Sequence, residues 1–224
     1  MKVICVYRTG GDFSIDYVQR LKNMVDENTS IPHEFICLTD DPSIESICEI
    51  IQLRNNFPGW WSKIELFRSD LPDDHYLFFD LDTVIFRGID ELMRLAQSTY
   101  DFHMLTGFNK RVPGHPASGI MLGAFPRVSE IYESFLSDPT GIIHSLRNER
   151  AGMNGDQGWI IERVGWEVKR IQDYLSDGYI IGKQMWKNGE GLDKAHVIAW
   201  SGKPRLHDQK DSELGVIWNS YERS

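Results

Sequence analysis

Two carboxylates stand two positions apart, Asp80 and Asp82, at the end of the apolar run Tyr76 to Phe79. Such a run reads as a buried strand. Side chains on a strand alternate between its faces, so Asp80 and Asp82 are expected on one side and Leu81 on the other. Two negative charges held side by side repel each other, and a positive partner between or beside them removes that cost. A divalent metal carrying a phosphorylated ligand is the partner this spacing suits. All-oxygen ligation favours Mg2+ or Mn2+ over Zn2+. Such an ion bridges phosphate oxygens and stabilises a departing phosphate. The bland alternative is a solvated turn.

Other residues carry compatible chemistry. A third ligand is wanted, and His207, among polar residues, is the candidate; His196 flanks an apolar run and reads as structural. From Lys183 to Lys210, six lysines and arginines stand against three acids. That positive segment, with its Gly202-Lys203 turn, suits a diphosphate or is a solvated basic tail. In Trp60-Trp61-Ser62-Lys63 the adjacent tryptophans face different ways on a helix. One belongs to the core and the other can pack on a base or sugar. Lys63 meets a phosphate or is simply solvated. Ser118-Gly119 places small residues before a strand, where a ligand can approach the backbone. Asp156 puts a carboxylate at a helix start, either to cap it or as a catalytic or acceptor-binding group.

These residues need a scaffold. Lys2 to Tyr7, Phe35 to Leu38 and Cys48 to Leu53 read as strands. Ile15, Val18, Leu21 and Val25 recur at helical spacing after a candidate cap, Asp12 or Ser14. Helices are expected over Trp60 to Phe67, Ile89 to Ala96, Val128 to Leu136, Ile142 to Arg150 and Trp159 to Val164. Further strands are expected over Phe102 to Thr106 and Ile120 to Phe125, with a loop from Gly107 to Gly119. The final third has no clear pattern. Strand–helix alternation in the first half argues a mostly parallel α/β sheet, whose ligands bind beyond the carboxyl ends of strands. Tyr7 to Thr9, Thr39 to Asp41 and Asp80 to Asp82 fall at such ends.

The chain has 224 residues, enough for one α/β domain with a full core. Its net charge of −9 argues against bulk nucleic-acid binding. Cys5, Cys37 and Cys48 have no metal-ligand spacing and read as free thiols. Their odd number, with no export signal at the start, leads us to expect a cytoplasmic protein. No apolar run is long enough for a transmembrane segment. Asn28-Thr29-Ser30 is a formal glycosylation sequon, which matters only in a secreted protein.

Taken in order, Trp61-Ser62-Lys63, Phe79-Asp80-Leu81-Asp82, Ser118-Gly119-Ile120-Met121, Gly155-Asp156-Gln157 and Ser201-Gly202-Lys203-Pro204 resemble the motifs of GT-A glycosyltransferases. The resemblance is to the family 8 type, that of glycogenin and bacterial galactosyltransferases, and to small viral and bacterial domains of the same fold. It spans nearly the whole chain. It implies a single GT-A domain over residues 1–224, with a Rossmann-like mixed, mainly parallel sheet flanked by helices. It implies Mn2+ (or Mg2+) on Asp80 and Asp82, holding a nucleotide-sugar donor, most simply a UDP-sugar. Tyr7, Arg8, Thr9 and Asp40 would lie near base and ribose. Trp61, Lys63, Leu81, Ser118 and Gly119 would adjoin the donor, Gly202 and Lys203 its diphosphate, and Asp156 the sugar and a hydroxyl acceptor such as a glycan. The pattern departs at Ala199, where family 8 carries a metal-binding histidine. His207, just downstream, is the substitute.

Two rival readings stand beside this one. Asp80-Leu81-Asp82-Thr83-Val84 also fits the motif of haloacid-dehalogenase-like, Mg2+-dependent phosphatases, with Asp80 as nucleophile. That motif normally follows the first strand, and here two or three strands precede it. A sugar- or nucleotide-binding module without turnover would suit the aromatic content and glycine-rich loops, but leaves the paired carboxylates without a use.

Overall fold

The computed structural model describes residues 1–148 and 153–222. The chain opens with β1 (Lys2–Tyr7), α1 (Ile15–Glu27), β2 (Glu34–Thr39) and β3 (Glu49–Gln52). Next come β4 (Tyr76–Phe79), β5 (Thr83–Ile85), α2 (Asp90–Ser98), β6 (His103–Thr106) and β7 (Pro116–Gly123). The helices α3 (Glu130–Phe135), α4 (Pro139–Ser145) and α5 (Gly155–Val164) follow. The chain closes with β8 (Lys169–Arg170), β9 (Ile180–Gly182), α6 (Lys183–Asn188), β10 (Val197–Ala199) and α7 (Glu213–Ser220).

Seven strands form one sheet in the order β3-β2-β1-β4-β7-β6-β8. The half from β3 to β4 is parallel; β7 runs antiparallel to both β4 and β6, and β8 is parallel to β6. A parallel sheet needs cover on both faces, so its strands are apolar throughout. In β1, Val3, Cys5 and Tyr7 join the core on one side with Tyr17, Leu21 and Met24 of α1. Ile4 joins the opposite core, which holds Trp61, Phe67, Phe135 and Trp159. β4 divides in the same way, Leu77 and Phe79 to one side, Tyr76 and Phe78 to the other. Cys5 and Cys37 pair across β1 and β2, and all three cysteines are free thiols.

Several expectations need correction. The segment Gly59–Phe67 is a 3-10 helix rather than an α-helix. β7 starts at Pro116, inside the stretch expected as loop. The helix expected over Val128 to Leu136 is a 3-10 turn, Phe125–Val128, followed by α3. The one expected over Ile142 to Arg150 is α4 followed by a 3-10 turn, Leu146–Asn148, and its last two positions lie outside the described residues. α5 spans Gly155–Val164 and, as the sequence suggests, is opened by Gly155-Asp156-Gln157. The final third is ordered: β9 and β10 join β5 in a second sheet of order β5-β10-β9. Three-residue strands are too short to show a period in sequence. Among the described residues, no helix is long and apolar enough to cross a membrane.

Asp90 pins the turn between α1 and β2 to the start of α2. It accepts from Thr29 Oγ1 at 2.7 Å, the Ser30 N–H at 2.9 Å and Ser30 Oγ at 2.7 Å. The Ser30 and Thr29 hydroxyls, with the Ser30 N–H, lower its pKa to about 2. A carboxyl whose folded pKa is depressed stabilises the fold above its unfolded pKa, and loses that contribution as pH falls through the folded value. Asp90→Asn is therefore expected to lower stability at neutral pH, with the gap to wild type closing between about pH 4 and pH 2. Urea unfolding at several pH values checks this, and a pH-independent gap would refute it.

Candidate active site

β4 stops at Phe79, and the Asp80 carbonyl accepts from the Thr83 N–H at 3.0 Å. Asp80 and Asp82 therefore sit on a tight turn between β4 and β5, and strand alternation does not apply to them. The turn is anchored by the Asp80 N–H, which donates to the Gly119 carbonyl of β7 at 2.8 Å. Here the parallel strands end and the small sheet begins, with Ala199 of β10 opposite Thr83.

Each carboxylate already holds a cation. Lys63 Nζ lies 2.8 Å from Asp80 Oδ1 and 3.0 Å from Asp156 Oδ2, and reaches Ser118 Oγ at 3.3 Å. Ser118 Oγ in turn donates to Asp156 Oδ2 at 3.1 Å, and the Ser118 N–H donates to the Gln157 side chain at 3.1 Å. On the other side, Arg205 Nη1 donates to Asp82 Oδ2 at 3.0 Å. Its Nη2 and Nε donate to Asp12 Oδ2 at 3.0 and 3.3 Å. Arg205 thus clasps the β1–α1 loop to the β4–β5 turn. Asp12, a candidate cap for α1, is used for this clasp instead.

Burial opposes all of these charges. It would depress the Lys63 ammonium, but Asp156 and Asp80 more than reverse this and raise its pKa, so Lys63 stays charged. Burial and the nearby Asp156 charge push Asp80 up, against the pull of Lys63. Burial and Asp80 push Asp82 up to about 7, against Arg205 and Lys63. The two ends of the Lys63–Asp80 pair thus shift in ways that look opposed. At Asp80 burial, helped by the Asp156 charge, outweighs the single cation, whereas at Lys63 two carboxylates outweigh burial.

Two cavities meet at this cluster. The larger, about 660 Å³, is lined by Asp80, Asp82, Ser118, Gly119, Asp156 and Gly202 among others. The smaller, about 260 Å³ and mostly apolar, lies at the carboxyl end of β1 between Val6, Arg8, Phe13 and Leu81. Trp60, Lys63, Asp80, Phe13 and Arg205 line both.

The structure brings together Arg8, Lys63, Asp80, Leu81, Asp82, Ser118, Gly119, Asp156 and Gly202. It leaves others outside. Trp61 is a correction: it is buried in the core, stacked on Phe135 at 5.3 Å, and the exposed tryptophan on the cleft is Trp60. Neighbours on a tight helical turn point apart, and only packing decided which went inward. Tyr7 is buried in the core and lines neither cavity. Asp40 stands behind the smaller pocket, accepting from the Thr9 N–H at 2.9 Å and Thr9 Oγ1 at 2.8 Å. Burial raises its pKa, but the Thr9 bonds and the Arg8 charge outweigh this and leave it lowered. Lys203 is exposed and lines neither cavity, whereas Arg205 lines both.

His207 is also not brought to the pair. Its Nδ1 is hydrogen-bonded to Tyr17 Oη at 2.8 Å, and its Nε2 lies 3.5 Å from Asp208. His196 is bonded to the Gly88 carbonyl and stacked on Tyr179, as its apolar setting suggested. Among the described residues, no group of three or more His, Cys, Asp and Glu side chains could hold a metal ion. Asp80 and Asp82 are hard oxygen donors, but each is already charge-paired, and among the described residues no third His, Cys, Asp or Glu side chain joins them.

Sequence reasoning passed over Arg205 and Lys183. Lys183 Nζ lies within 3.4 Å of the carbonyls of Ser201, Gly202, Lys203 and Pro204, and so shapes the loop that delivers Arg205. The excess of positive charge from Lys183 to Lys210 was the available signal, but it did not say which side chain turns inward.

No protein-family model and no curated protein matches the sequence. Solved structures are similar in fold. The glycosyltransferase GlyE of Streptococcus pneumoniae TIGR4 is similar over 100% of this chain at 14% identity and TM-score 0.67. This chain spans only 60% of GlyE's length. The galactosyltransferase LgtC, solved with donor and acceptor sugar analogues, is similar over 99% of this chain and 95% of its own, at 10% identity and TM-score 0.61. The bifunctional glycosyltransferase WbbM is similar over 100% of this chain and 50% of its own, at 12% identity and TM-score 0.61. The chain has the GT-A fold: a mixed α/β architecture with a central sheet, parallel through β3, β2, β1 and β4, flanked by helices.

Proposed function

We propose that this chain is a glycosyltransferase, with residues 1–224 as one unit, moving a sugar from a nucleoside diphosphate sugar to a hydroxyl acceptor. A UDP-sugar is the first donor to test. The observation that carries the reading is the junction of an apolar pocket with a larger polar cleft, at a cluster of Asp80, Lys63 and Arg205, with Asp156 on the polar side. The pocket at the end of β1 accommodates a nucleoside and the cleft a sugar and its acceptor. The diphosphate between them then falls at the junction.

In the transfer, the bond from the anomeric carbon to the diphosphate oxygen breaks, and its electron pair leaves with the diphosphate. The acceptor oxygen bonds to the same carbon and gives up its proton, to Asp156 in an inverting reaction or to the departing diphosphate in a retaining one. Cationic donors at the junction stabilise the leaving group, and the negative Asp156 steadies the positive charge that develops on the sugar. Lys63 holds Asp156 and Asp80 in place for this.

The phosphatase reading fits less well. Three strands precede β4, the strand that leads into Asp80, and Asp80 Oδ1 is tied to Lys63 at 2.8 Å. The neighbouring folds are those of glycosyltransferases.

A panel of UDP-sugars tests the proposal, with nucleotide release followed in Mn2+ and after chelation. Wild type is expected to release UDP from at least one donor. Asp80→Ala, folded by circular dichroism, is expected to lose about a hundredfold or more of that rate. Phosphate release from generic phosphoesters without nucleotide release would favour the phosphatase instead.

A further inference from the structure

A donor diphosphate needs a cation at the junction of the two cavities, and the residues there narrow the choice. Lys63 and Arg205 are the cations that line both cavities among the described residues. An ammonium has three N–H donors. Those of Lys63 have three acceptors within 3.3 Å, namely Asp80, Asp156 and Ser118, and its side chain is only 8% exposed. Lys63 is saturated. Lys183 is engaged by backbone carbonyls, and Lys203 lies outside both cavities.

Arg205 differs. A guanidinium has five N–H donors in a rigid fork. Its bonds to Asp82 and Asp12 use one each on Nη1, Nη2 and Nε. One N–H on each terminal nitrogen remains, and both are charge-assisted donors available to phosphate oxygens. The guanidinium carbon lies over the Phe13 ring, 4.8 Å from its centroid. The Arg205 N–H donates to Asp208 at 2.8 Å and holds the backbone that carries it.

The same geometry bears on metal use. A cation binding at Asp80 and Asp82 must break or share two charge pairs, at 2.8 and 3.0 Å. A diphosphate accepting from the two unused N–H groups of Arg205 breaks neither.

We propose that Arg205 is a ligand of the donor diphosphate and the resident counter-ion of Asp82, so that this chain holds a nucleoside diphosphate without needing a divalent cation. This rests on the donor reading above.

The test is calorimetric titration of UDP into the full chain, in Mn2+ and in EDTA, for wild type and Arg205→Gln. Wild-type affinity is expected to differ by less than about tenfold between the two buffers. Arg205→Gln is expected to weaken UDP binding in EDTA by about tenfold or more, the scale of charge-assisted hydrogen bonds. A wild-type loss of about tenfold or more in EDTA overturns the proposal, and that arm needs no variant to fold. Folded Arg205→Gln binding UDP as wild type does in EDTA also overturns it. Asp12→Asn separates the clasp from the ligand: affinity kept there but lost in Arg205→Gln supports direct contact, while equal losses in both assign Arg205 a merely structural role and overturn it. If UDP, GDP, CDP and ADP all fail to bind wild type in either buffer, the donor reading itself falls, a result distinct from metal-dependent binding.

Discussion

Replacing Lys63 by methionine is expected to lower the unfolding free energy by about 3 kcal/mol, toward the lower end of the cost of breaking a buried ion pair. The lower end applies because Asp80 keeps 35% side-chain exposure and water screens it, whereas Asp156 keeps only 10%. Methionine retains most of the volume and so isolates the charge. The loss arises from two carboxylates left without their shared cation. The double variant Lys63→Met/Asp156→Asn is therefore expected to recover a large part of the stability lost. Urea unfolding of the two single variants and the double closes the cycle. Purely additive losses would mean that Lys63 acts through packing alone, for instance through its approach to the Phe78 ring at 5.3 Å.

Asp156→Asn is expected to lower the transfer rate by about 10²–10⁴, the range for a positioned base or a charge facing the reacting centre. UDP affinity should stay within about threefold, because Asp156 faces the large cleft and does not line the apolar pocket. The amide is isosteric and can still accept from Ser118 and Lys63, so the α5 start remains in place. Single-turnover rates with an active nucleotide sugar, beside UDP titration, separate the two quantities. Unchanged rates would leave Asp156 as structural support for Lys63. Equal losses of rate and UDP affinity would place it on the nucleotide instead.

Legibility in the sequence followed local periodicity. β1, β2, β4, α1 and α2 show in the sequence because a strand buried on both faces is apolar throughout and a helix packed on it repeats its apolar residues. β9 and β10 do not show, since three residues carry no period and the pairing of β10 with β5 comes from far along the chain. The carboxylate pair was legible as a pair, because two acids directly after an apolar run are conspicuous. Its geometry was not: the turn that carries it is closed by Asp80 and Thr83 and anchored to Gly119 across the sheet.

By itself, the sequence determined that β1, β2, β4, α1 and α2 pack into the core and that the carboxylates stand at a strand end, both of which follow from nearest-neighbour chemistry. The resemblance to GT-A glycosyltransferases, rather than local pattern, suggested Lys63, Ser118, Gly119 and Asp156 beside them. Only the tertiary structure decided which charges meet. Asp82 and Arg205 are 123 residues apart, and Lys63 and Ser118 are 55 apart. No local pattern selects Trp60 over Trp61, or Arg205 over Lys203 and His207. The choice falls to packing, because a buried charge is tolerated only where a distant partner is held against it.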